Sequence, residues 1–186
     1  MTVWLVRHGA TEWSEAGRHT GQTDIPLAPA GEASARALAP VLADHPFDLV
    51  LTSPLQRARR TAILAGFDGA LVDEDLVEWG YGDYEGVTTP EIRETVPDWT
   101  VWTHPCPGGE TADEIGERMD RVIARLRAVD GDSLLFGHGH SLRALAARWL
   151  GEPVAVGRFL RLDTATYSEL GYEREQPVIL GWNIPA

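Results

Sequence analysis

The chain has 186 residues, 44% hydrophobic and 24% charged, a composition that fits one globular domain with a packed core and not a disordered or collagen-like chain. Its formal charge of −12 is the wrong sign for coating a phosphate backbone, so nucleic acid is not an expected partner. All sixteen basic residues are Arg, which excludes a Walker A or Schiff-base lysine, and Cys106 as the only cysteine excludes an intrachain disulfide and a thiolate zinc cage.

In chain order, Val3 to Val6 is an apolar run that stops at Arg7-His8-Gly9, as a buried strand ending in a loop does. Nothing before it resembles a leader, and no run reaches eighteen apolar residues; a cytoplasmic protein without a membrane partner is expected. Ala33, Ala37, Leu38, Val41 and Leu42 share one face of a helix expected over Gly31 to Leu42. Asp48 to Thr52 reads as a second buried strand. Ser53-Pro54 then offers an N-cap and a first-turn proline for a helix reaching Leu64.

Ala70 to Val72 is a weak strand. Asp75 to Cys106, with its glycines, prolines and three tryptophans, shows no sustained period and is expected to be a long ordered excursion. Thr111 to Glu114 has the form of a capping box, followed by Ile115, Met119, Val122, Ile123 and Leu126 at helical spacing. Arg118, Arg121 and Arg125 read as a solvated face pairing with Glu114 and Glu117. A third buried strand, Ser133 to Phe136, ends at Gly137-His138-Gly139-His140, before a helix over Leu142 to Leu150. Phe159 to Leu162, Thr166 to Leu170 and Val178 to Leu180 are expected strands that complete or edge the sheet. The alternation predicts a single α/β domain over residues 1–186: a three-layer sandwich, mostly parallel sheet with helices on both faces. In such a sheet ligands bind beyond the carboxyl ends of strands, where Arg-His-Gly and Gly-His-Gly-His both fall.

Arg7, His8, Arg57, Glu78 and His138 together suit phosphoryl transfer. Guanidinium forks match phosphoryl oxygens. A neutral imidazole is a competent nucleophile, and neighbouring Arg charge favours its unprotonated form, which assigns His8 that role. One carboxylate serves as acid to the leaving alkoxide and then as base to water; Glu78 is the candidate, with Glu85 in the same excursion as its competitor. His138 would donate a hydrogen bond to the transferring group. No metal set accompanies these residues: His138 and His140 lack nearby Asp or Cys partners, and no cofactor is expected.

Five ordered motifs carry a family resemblance across nearly the whole chain. They are Leu5 to Trp13; Gly17 to Leu27; Thr52 to Thr61; Glu78 to Gly86; and Gly137 to Arg143. They resemble the histidine phosphatase superfamily, which includes the phosphoglycerate mutases. The resemblance implies a phosphorylated nucleophile at His8, a phosphate pocket completed by Arg7, Arg57 and His138, and Glu78 as proton donor. It also implies substrate contacts from Ser14, Thr20, Gly21 and His140, with Arg60 and Arg143 as further candidates. Ser14, His19-Thr20-Gly21 and Gly137-His138-Gly139-His140 resemble the branch of acid phosphatases and a fungal sedoheptulose-bisphosphatase more than the mutases, which have a longer insertion where only Val87 to Phe136 intervenes here. The expectation is a metal-independent phosphatase acting on small phosphomonoesters, sugar phosphates or bisphosphates among them. The alternatives are a cofactor-dependent mutase or a non-catalytic phospho-ligand binder. Homo-oligomer formation is left open. His19, His45 and His104 read as surface or loop residues.

Overall fold

The computed structural model describes residues 1–186. Its six strands are β1 (Val3–Arg7), β2 (Leu49–Thr52), β3 (Leu71–Val72), β4 (Ser133–Gly137), β5 (Thr166–Glu173) and β6 (Gln176–Pro185). They form one sheet in the order β3-β2-β4-β1-β5-β6. β3, β2, β4 and β1 run parallel, and β5 and β6 add an antiparallel hairpin beside β1. Strands β1 and β4 read as unbroken apolar runs because both faces are covered. Val3 and Leu5 enter the larger core, under α6 (Ala112–Arg127) and α7 (Gly139–Trp149). Trp4 and Val6 enter a smaller one with Leu38, Leu42 and Ala62, under α2 (Pro29–Ala37), α3 (Ala39–Leu42) and α4 (Gln56–Leu64). Two short helices, α1 (Glu12–Glu15) and α5 (Thr89–Arg93), punctuate the loops.

Four expectations change. The helix over Gly31 to Leu42 begins at Pro29 and divides at Leu38, because Pro40 has no N–H to continue the ladder. Ser53 does not cap α4: the helix starts at Gln56, whose N–H is capped at 2.8 Å by Asp24 from another loop. Phe159 to Leu162 is not a strand. A 3₁₀ turn occupies Val154–Phe159, and side chains consume carbonyls a ladder would need: the Trp182 indole takes that of Arg161, and Arg7 that of Leu162.

The arginines of α6 also differ. Arg118 is buried and forks onto Glu110, while Arg121 and Arg125 bind Asp75 and Asp73; Glu114 is spent capping Thr111. The remaining donors of Arg118 reach the carbonyls of Asp75 and Val77, so α6 clamps the start of the excursion. Within that excursion Trp79 and Trp99 are fully buried, and the capping box of Thr88 and Glu91 starts α5. The loop after β1 passes α2 so closely that a Cβ on Gly9 or Gly31 would overlap the other segment's backbone. No helix is long and apolar enough to cross a membrane.

Candidate active site

Parallel pairing of β1 and β4 places Arg7 opposite Gly137, and the His8 N–H donates to the Gly137 carbonyl at 3.0 Å. The residues that follow each strand therefore emerge side by side, with the rings of His8 and His138 centred 5.1 Å apart. His8 Nδ1 lies 2.7 Å from the Gly9 carbonyl, which can only accept. The ring proton thus sits on Nδ1, and Nε2 keeps its lone pair. Burial, then the charges of Arg57 and Arg7, hold His8 well below the ordinary histidine value, so at neutral pH its imidazole is uncharged.

Arg57 is fully buried and fixed by three acceptors: the Gly21 carbonyl at 2.7 Å, the Thr23 carbonyl at 2.9 Å and His138 Nδ1 at 3.2 Å. Glu85, the competing acid, instead shapes this support. Its carboxylate accepts from the backbone N–H groups of Gln22 and Thr23, holding the turn whose carbonyls hold Arg57. Arg7 donates to the Leu162 carbonyl at 2.5 Å, and its buried Nε has no partner. Burial lowers the pKa of both guanidiniums, with Glu78 opposing.

Glu78 accepts from the N–H groups of Trp79, Ser141 and His140 at 2.9, 2.8 and 3.0 Å. The last two belong to the first turn of α7, whose positive end faces the carboxylate. His140 Nδ1 meets the Tyr81 hydroxyl at 2.5 Å, and burial keeps the imidazole neutral and the phenol protonated.

These groups surround a cavity of about 190 Å³. Its lining carries four guanidiniums, those of Arg7, Arg18, Arg57 and Arg143, against one carboxylate, Glu78, in a chain of net charge −12. Ser14 and Thr20 also line it, though the Ser14 hydroxyl is occupied in capping α1 with Thr11. Gly21 contributes through its carbonyl to Arg57 instead of the lining. His138 has no exposed surface, and both of its ring nitrogens are engaged. Arg60 points elsewhere, paired with Glu32 at 2.8 Å.

His19, read from sequence as a surface residue, lines the cavity; burial lowers its pKa to about 4. Its one signal was its place beside Thr20 and Gly21. His19 and His140 also line a neighbouring groove of about 520 Å³ walled by Trp99, Trp102, Thr103 and Arg158. Another groove, of about 380 Å³, lies between α2 and α4, but it has no histidine and no buried cation. No three His, Cys, Asp or Glu side chains are grouped so as to hold a metal ion.

The family model of the histidine phosphatase superfamily (branch 1) matches residues 3–185. An acid phosphatase of Mycobacterium tuberculosis is 42% identical over 183 residues, covering 95% of this chain and 90% of that protein. The sedoheptulose 1,7-bisphosphatase of Saccharomyces cerevisiae is 38% identical over 180 residues, covering 79% of this chain and 66% of the yeast protein. The solved structure of the Mycobacterium tuberculosis open reading frame Rv3214 superposes with a TM-score of 0.95 at 38% identity, over 99% of this chain and 97% of that one.

Proposed function

The chain belongs to the histidine phosphatase superfamily and is a phosphomonoester hydrolase, and from that premise we propose that it works through a phosphohistidine at His8 on small phosphate esters. The observation that carries this reading is the His8 tautomer. Its bond to the Gly9 carbonyl leaves Nε2 as a lone pair facing a cavity lined by four cations. An ester's phosphoryl oxygens enter between Arg7 and Arg57, whose uncommitted N–H groups have no other anion to satisfy.

In the first half-reaction Nε2 attacks phosphorus as the bond to the ester oxygen breaks, and Glu78 gives that oxygen its proton. In the second, the Glu78 carboxylate takes a proton from water, the water oxygen attacks phosphorus and the N–P bond breaks, restoring neutral His8. The Nδ1–H stays on the Gly9 carbonyl throughout and steadies the phosphoimidazole. The cavity is small for a whole ligand but adequate for a phosphoryl group, and the groove beyond His19 and His140 receives the alcohol half. Its hydroxyls, indole faces and arginines suit a polyhydroxylated or anionic alcohol, which makes sugar phosphates and bisphosphates the first substrates to try.

The test is phosphate release from a panel of phosphomonoesters and sugar bisphosphates with chelator present, wild type beside His8→Ala, with 3-phosphoglycerate followed for isomerisation. Chelator-resistant release that vanishes in His8→Ala, with an acid-labile phosphoenzyme trapped on wild type alone, is the expected result. Isomerisation without release makes the chain a mutase; release that survives in His8→Ala removes the phosphohistidine.

A further inference from the structure

Ser53 is fully buried, and its hydroxyl meets Nε2 of His138 at 2.7 Å. Across the ring, Nε of Arg57 lies 3.2 Å from Nδ1. A guanidinium N–H only donates, so Nδ1 carries the lone pair and the proton of the neutral imidazole sits on Nε2. Ser53 Oγ is therefore its acceptor, and it also accepts the Leu55 N–H at 3.3 Å. The two nitrogens are made unequal. Nε2 points to the end of β2, whereas Nδ1 points to Arg57, one of the two arginines between which a phosphoryl group would lie.

The charged and titratable groups whose fields act on His138 are Arg57 on α4, which also touches it, His8 and Arg7 at the end of β1, and, from α6, Arg118. Glu78 stands close by on the α7 N–H groups of His140 and Ser141. Burial and then the cations keep His138 neutral while the site is empty. A bound dianion reverses the local balance: its oxygens compete for the Arg57 Nε–H, leaving Nδ1 without its donor and beside negative charge.

We propose that Ser53 is a positioning residue that locks the His138 proton on Nε2, so that Nδ1 takes up a second proton when a phosphate-like dianion binds and then donates it in a hydrogen bond. One proton leaves solvent and arrives on Nδ1; the Nε2–H remains on Ser53, and no covalent bond between heavy atoms changes. This rests on the phosphatase reading of the pocket but is tested without turnover.

Sulfate is the probe, because it stays a dianion over the whole range. Proton uptake is counted by calorimetry of sulfate binding in buffers of different ionisation enthalpy, and ring protonation is read from nitrogen chemical shifts of histidine-labelled protein. In free wild type the His138 proton is expected on Nε2. With sulfate near pH 6, about one proton is taken up per site and Nδ1 moves into the protonated range. His138→Gln loses the uptake. Ser53→Ala leaves the buried Nε2–H without its acceptor and so melts at a lower temperature, but the folded variant takes up less than half as much, and its kcat falls about tenfold with a displaced acid limb.

A neutral ring protonated on Nδ1, no uptake in wild type, or a Ser53→Ala uptake curve identical to wild type each overturns the proposal. Uptake that persists in His138→Gln places the proton on another group and overturns it too. Failure of sulfate to bind overturns the anion pocket itself. Absence of ester hydrolysis with uptake intact overturns only the phosphatase reading.

Discussion

The chain uses arginine in two opposite ways, and the sites lie close together. On α6, Arg118 and Arg121 are matched by Glu110 and Asp75 through bidentate forks, and Arg125 by Asp73 and Asp75 through one nitrogen. Around the candidate cavity four arginines face one carboxylate, and Arg7 leaves a buried Nε with no partner. Cations matched within the fold serve to build it; cations left short of counter-charge are poised for an anion from outside. The two groups meet at Glu78. The α6 arginines grip Asp73, Asp75 and Val77, and the following residue is Glu78, the proposed acid, so the structural set fixes the segment that carries it.

Substitutions separate the two uses. Arg57→Ala removes a donor from the charge-deficient set and is expected to lower kcat about 10²- to 10³-fold, measured as phosphate release, while the melting midpoint moves far less. If activity and stability fall together, Arg57 belongs with the structural group. Arg118→Met leaves the half-buried Glu110 carboxylate only the Gly80 N–H, an expected loss of about 1–3 kcal/mol of stability in denaturant titration, and it loosens Glu78 enough to lower kcat in the protein that remains folded. Full activity in that variant would show that the clamp does not aim the acid.

Acid should act on the site more than on the clamp. His8, His138 and His140 are held well below the ordinary value, and His19 at about 4, each chiefly by burial. Groups depressed in the folded state bind fewer protons there than in the unfolded chain. Stability is therefore full above pH 6.5 and declines as pH falls below it. Asp75 is held below its usual value by hydrogen bonds from Arg121 and Arg125 that outweigh burial, so the clamp fails only below pH 3.8. Melting curves should be flat from pH 7 to 8 and step down in two stages, with sulfate restoring the first. A single stage near pH 4 would contradict this. Smallest of all is Arg121→Ala: with Arg125 still on Asp75, no resolvable change in melting midpoint is expected, and a clear drop would show that the exposed fork matters.

The catalytic floor was legible because its strands are buried on both faces. Val3 to Val6 and Ser133 to Phe136 read as short apolar runs, and the polar residues that follow them fall at the edge where ligands bind. Nothing local announced the clamp. Arg118 and Arg121 find Asp75 43 and 46 residues away, in a segment without hydrophobic period, whereas helical spacing offered Glu114 and Glu117 as nearer partners. Ser53 was misread for a related reason. Serine before proline at an expected helix start is a strong capping signal, but Asp24 from a distant loop fills that role and frees the hydroxyl for His138. His19 was missed because a loop histidine has no periodic pattern to say which way it faces.

The position of β1 has a consequence for the chain as it is made. The first strand of the sequence is next to the centre of the sheet, with Val3 opposite Ser133 on one side and Leu170 on the other. At ribosomal rates of about 5–20 residues per second, its apolar edge waits roughly 10–30 s for both neighbours. Arg7 and His8 meet Gly137 and His138 only at that late closure. A product cut short before β4 lacks Gly137 and His138, and with them the wall that β1 closes against.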